Sequence, residues 1–154
     1  MREKTCCFTG HREVPQCEKE RLYRVLYTEI SALIKKGVTI FRCGGARGFD
    51  TMAALAVLDI KKLNPEISLI VDVPCRNQHL NWNEEEREAM EYIMSVADKV
   101  NVLSPRYYNG CMQYRNRYMV ERSAYLIAYQ TKATGGSAYT VLYAKEQGLT
   151  VIKI

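Results

Sequence analysis

The sequence predicts an α/β fold, a doubly wound and mostly parallel sheet covered by helices on both faces. Three observations carry this. Short β-rich runs alternate with helix-length amphipathic runs along the chain. The short runs are nearly continuous in apolar side chains, as strands buried on both faces are. Glycines gather where strands pass into helices, whereas glycine or proline closes the helices before the next strand.

The first strand is read at 5–10 and ends in Gly10. A helix over 17–37 follows, because Leu22, Val25, Leu26, Ile30, Leu33 and Ile34 recur at helical spacing and Gly37 is a natural stop. Residues 38–43 form the second strand, and 50–63 a second helix stopped before Pro65. The third strand, 67–73, halts at Pro74. A third helix covers 81–97, where Asn83 with Glu86 three residues on resembles a capping box and the glutamates suit the positive helix end. The fourth strand, 99–104, ends at Pro105; 107–110 is a turn and 112–123 a helix. A fifth strand at 124–130, a last helix at 136–148 closed by Gly148 and a final strand at 149–154 complete the series. No linker, repeat or low-complexity segment interrupts it, so 1–154 is read as a single domain.

Composition narrows the function classes. A net charge of +5 suits anionic ligands but is too weak by itself to imply nucleic acid. No run of about 18 apolar residues is present, so no membrane span is expected. The N-terminus lacks an apolar stretch long enough for a signal peptide, and a cytoplasmic location is expected. Six cysteines without a C-x-x-C spacing are expected as free thiols. His11 and His79 belong to no metal-ligand spacing, so no metal is implied. The glycines do not form G-x-G-x-x-G, so no ordinary dinucleotide cofactor is implied either.

The unusual residues cluster where a parallel sheet binds ligands, beyond the carboxyl ends of its strands. Thr9, Gly10, His11 and Arg12 follow the first strand; Gly44, Gly45, Ala46, Arg47 and Gly48 follow the second; Thr134, Gly135, Gly136 and Ser137 follow the fifth. Glycines let backbone N–H groups approach an anion, and two of the clusters open a helix, whose free N–H groups and dipole favour negative charge. Arg12 and Arg47 are placed to add bidentate phosphate contacts. Asp50 reads either as the cap of the second helix or as an acceptor for ribose hydroxyls. Asn116 or Arg117 is the candidate for facing the crevice from the fourth helix, and Tyr107 or Tyr108 for stacking on a base. The segment 75–82, ending in Trp82, is expected to border the crevice.

The stretches FTGHR, GGARGFDTMAA, RNRYMVERS and TGGSAYTVLYAKEQG, in this order, resemble the SLOG superfamily, and the small YpsA-like branch most closely. The superfamily includes DNA-processing protein A and the Lonely Guy phosphoribohydrolases. The resemblance covers the chain and implies a Rossmann-like fold with a crevice for nucleotides or nucleotide-derived ligands. It implies ligand contacts at Gly10, Arg12, Gly44, Gly45, Arg47, Asp50, Asn116, Arg117, Gly135, Gly136 and Ser137; His11 joins them from its place in the first cluster. The Lonely Guy motif carries a catalytic glutamate after its glycine pair. Here the comparable residues, Ala138 to Leu142, hold none, and Glu146 comes too late.

The expected function is therefore non-catalytic binding or sensing of a nucleotide-type small molecule. The alternatives are a hydrolase using Asp50 or Glu121 as base, and binding of single-stranded DNA as in DNA-processing protein A. The eleven tyrosines suit core or interface packing, which leaves a homo-oligomer open.

Overall fold

The computed structural model describes residues 1–154. The chain runs β1 (Thr5–Gly10), α1 (Gln16–Lys35), β2 (Ile40–Cys43), α2 (Phe49–Lys61), β3 (Ser68–Val73) and α3 (Glu84–Val96). It continues through β4 (Lys99–Val102), α4 (Cys111–Glu121), β5 (Tyr125–Tyr129), α5 (Gly136–Glu146) and β6 (Thr150–Lys153). Every predicted element is present, with ends shifted by a few residues. A short 3₁₀ turn at Arg2–Lys4 carried no sequence signal.

The strands form one six-stranded sheet in the order β4-β3-β2-β1-β5-β6, and every neighbouring pair is parallel. From β1 to β4 the chain steps to one side. It then returns through α4 to place β5 on the other side of β1. This Rossmann-like winding opens a crevice where the loops after β1 and β5 diverge to opposite faces.

Successive side chains of a strand point to opposite faces, and both faces of β1 are filled. Cys6 and Phe8 pack with Phe41, Ile127 and the inner residues of α1, α2 and α3. Cys7 packs with Leu126, Ala128 and the inner residues of α4 and α5. A strand serving two cores cannot alternate apolar with polar, which explains its continuous apolar run.

Gly37, with φ +98°, lies just beyond α1 and ends it. The Asn83 side chain accepts the Glu86 N–H at 2.8 Å, as the capping signal predicted. The second helix departs from expectation. Its cap is Gly48, one residue before Phe49, so Asp50 is inside the first turn and caps nothing. All six cysteines are free, and Cys17 alone is exposed. No helix is long and apolar enough to cross a membrane.

Candidate functional site

Four loops at the carboxyl edge of the sheet enclose a cavity of about 450 Å³. The β1 end contributes Thr9, Gly10, His11 and Arg12; the loop into α2 contributes Ala46 and Asp50. Tyr107, Asn109 and Gly110 line it from the loop after β4, followed by Arg115 and Asn116 of α4. Lys132, Thr134, Gly135, Gly136 and Ser137 close the remaining wall. The starts of α4 and α5 both open onto this space, so two sets of free helix N–H groups border it.

The glycines of these loops do different work. A Cβ at Gly10 would lie 2.4 Å from the Phe49 ring. At Gly44 it would lie 2.7 Å from Asp50 Oδ2 and 2.9 Å from the Arg115 guanidinium, and at Gly48 only 2.1 Å from the Arg12 carbonyl. Gly45 is wedged against Val71 and Val73, with a Cβ 3.2 and 3.4 Å from them. These four let the protein pack on itself. Gly135 and Gly136 differ: a Cβ at either would meet nothing within 4 Å. Gly135, at φ +106°, adopts a backbone that L side chains disfavour, and the bare turn faces open space at the start of α5.

Asp50 and Arg115 flank Gly44 from two elements. Asp50 is 6% exposed and accepts the Ala46 N–H at 3.2 Å, closing the glycine loop. Burial pushes its carboxyl above the ordinary range, against the pull of Arg115 and the Ala46 N–H. Arg115 is 4% exposed; its guanidinium donates to the Gly44 carbonyl and, through Nε, to Asn116 Oδ1 at 2.8 Å. Burial lowers its pKa, and Asp50 opposes that shift. Arg115 thus anchors the second glycine loop and orients Asn116, a role the sequence reading did not assign.

His11 ties the first loop to the last. Its Nε2 accepts the Thr131 N–H at 2.9 Å, and its ring meets Tyr129 edge-on at 5.4 Å. Burial, aided by Lys132, holds its pKa below the ordinary histidine value. A neutral ring with a free Nε2 lone pair is what that hydrogen bond requires.

Eight of the twelve candidate residues line this cavity: Gly10, His11, Arg12, Asp50, Asn116, Gly135, Gly136 and Ser137. Gly44 and Gly45 are buried loop backbone and do not line it. Arg47 lines an adjoining cavity of about 340 Å³ and makes ion pairs with Glu13 and Glu86, each at 3.6 Å. Arg117 is outside, 5.8 Å over the Tyr139 ring on the outer surface of α4 and α5. Trp82 and Tyr107 line the adjoining cavity; the segment 75–82 lies along that cavity and contributes no residue to the wall of the main one. Lys132 was missed; the signal available was its position three residues before the glycine pair. Glu121 accepts from the Tyr143 hydroxyl away from the cavity, which leaves Asp50 as the carboxylate in its wall.

A family model described as the YspA SLOG family, YpsA, matches residues 7–151. The chain belongs to the YspA SLOG family. Relatives in the same range include a UPF0398 protein of Bacillus cereus (strain B4264), 32% identical over 136 residues, which are 86% of this chain and 72% of that protein. One from Bacillus thuringiensis (strain Al Hakam) is 31% identical over the same shares. Among solved structures, DNA processing protein A from Streptococcus pneumoniae superposes with a TM-score of 0.69 at 18% identity. The match covers 98% of this chain and 50% of that one. The Helicobacter pylori protein of that name, in a structure concerned with its single-stranded DNA binding mode, gives 0.66 at 18% identity, over 97% of this chain and 64% of its own. At such identity the likeness concerns the fold, and this SLOG chain has the fold of DNA processing protein A.

Proposed function

We propose that this chain binds a nucleotide or nucleotide-derived small molecule in the cavity at the carboxyl edge of the sheet, without catalysing a reaction on it. One observation carries the reading. The Gly135–Gly136 turn presents unfilled backbone at a helix N-terminus, into a cavity whose charged wall residues are Arg12, Arg115, Lys132 and a single carboxylate, Asp50. Free N–H groups, cations and a bare turn are what a phosphate group needs. Asn116 and Ser137 add polar groups for a sugar or base. Asp50, the one carboxylate of the wall, already accepts the Ala46 N–H and lies beside the Arg115 guanidinium, so it is engaged in holding the glycine loop.

The test is mass spectrometry of small molecules that leave the native protein on denaturation, paired with calorimetric titration of adenosine monophosphate. Recovery of a phosphorylated nucleoside compound, and saturable binding lost in Gly136→Asp, are the expected results. Release of free base from the titrant, lost in Asp50→Asn, would replace this reading with a hydrolase.

A second reading draws on the structural likeness to a protein that binds single-stranded DNA. Arg12, Arg76, Arg106 and Lys132 stand at this edge without an ion-pair partner, as a phosphate track would need. Oligonucleotide binding that weakens steeply with salt would favour it, since each neutralised phosphate releases counterions.

A further inference from the structure

The main cavity and its neighbour adjoin. Arg12, Ala46, Tyr107 and Met112 belong to the walls of both. Each alone is at the small end of ligand sites, which run from roughly 300 to 1,000 Å³; joined, they reach the range of a larger ligand. Their chemistry differs. The main cavity holds the glycine turn and the helix N-termini. The neighbour holds the Trp82 indole and three side-chain amides, Asn77, Gln78 and Asn81, with Arg76 and the already paired Arg47. Planar aromatic surface beside amide donors and acceptors suits a base or a sugar, not a lone phosphate.

The neighbouring wall is also held in place. Gln78 Nε2 donates to the Gly45 carbonyl at 2.6 Å, fixing the β3–α3 loop to the β2–α2 loop. Trp82 is half-buried, packs on the main core and meets His79 edge-on at 6.1 Å. Arg12 is exposed at the junction and makes no ion pair, so its charge is available to a ligand that passes from one cavity to the other.

We infer that the ligand is bipartite: two nucleoside or sugar units joined through phosphate, one unit in each cavity, with the linkage at Arg12. This rests on the main cavity being a nucleotide site. The glycine fingerprint of ordinary dinucleotide cofactors is absent, so recognition of the linkage falls to an arginine instead of a single glycine loop.

Three probes test the inference by calorimetry and by emission of Trp82, the single tryptophan. Adenosine monophosphate supplies one unit, ADP-ribose two units joined by diphosphate, and the dinucleotide pApA two joined by phosphodiester. At least one two-unit probe is expected to bind about tenfold or more tighter than the monophosphate. It should also change Trp82 emission with the calorimetric midpoint. Arg76→Ala and Asn81→Ala, at exposed side chains, should abolish that advantage and leave monophosphate affinity unchanged. Which probe gains identifies the linkage. Monophosphate binding with no gain from either two-unit probe overturns this inference alone, as does an equal weakening of all probes by the two variants. Failure of all three to bind overturns it together with the reading beneath it.

Discussion

Two glycine-to-alanine substitutions separate glycines that serve packing from glycines that serve a ligand. In Gly10→Ala the new methyl would sit 2.4 Å from two Phe49 ring carbons. Carbon atoms rest comfortably about 3.5–4.0 Å apart, so the ring must retreat by about 1 Å. It has no room: Phe49 is fully buried, stacked on Tyr129 at 5.8 Å and tilted against Phe8 at 6.5 Å. Overpacking of this kind costs about 1–3 kcal/mol. For a chain of this size each kcal/mol lowers the midpoint by roughly 2–4 °C, so Tm should fall by roughly 2–12 °C. In Gly136→Ala the methyl meets nothing within 4 Å, and alanine is favoured over glycine in a helix. Its Tm should stay level or rise slightly, while affinity for adenosine monophosphate drops about tenfold or more because the backbone is no longer bare. Circular dichroism melts and calorimetry read the two effects independently. An unchanged Tm in Gly10→Ala would refute the packing argument. Full affinity in Gly136→Ala would refute the claim that this turn receives the ligand.

His11 predicts a pH dependence. Its folded pKa is below the unfolded value, so the unfolded chain binds more protons between the two, and stability falls as pH drops below about 6.5. The stability advantage of the native protein over His11→Asn, from urea midpoints, should therefore shrink between about pH 7.5 and pH 5.5; a constant difference contradicts it. Asp50→Asn leaves the Arg115 cation buried without its neighbouring anion and should cost about 1–3 kcal/mol. A double variant with Arg115→Met should recover part of that loss, and strict additivity would show that the two groups do not interact. Arg12→Ala should weaken monophosphate binding about tenfold, whereas Arg117→Ala, outside the cavity, should not; the reverse order would move the site to the outer face of α4. In thiol titration of the native protein Cys17 should react at once and the other five only on unfolding; a second fast thiol would contradict their burial.

The elements were legible because each is encoded locally. Leu22, Leu26, Ile30 and Leu33 repeat at the helical period whatever they pack against, and the unbroken apolar run of β1 already implies two covered faces. The loops that matter were legible too, since parallel strands bring all their carboxyl ends to one edge, and the glycine clusters mark those ends. Partnership was not legible. Gly10 and Gly136 look alike in sequence, yet one is occupied by Phe49 and the other opens on empty space, because what fills the position of a missing side chain is set by distant elements. Arg115 and Arg117 lie two residues apart on one helix. Helical geometry turns the first inward onto the Gly44 carbonyl and the second outward over Tyr139, and only the packing of α4 decides which is which. His11 and Thr131 are joined by a hydrogen bond across 120 residues because β1 and β5 are neighbours in the sheet. Local sequence specifies backbone preference and the face to be buried; strand order, a property of the whole chain, determines which loops meet to form the cavity.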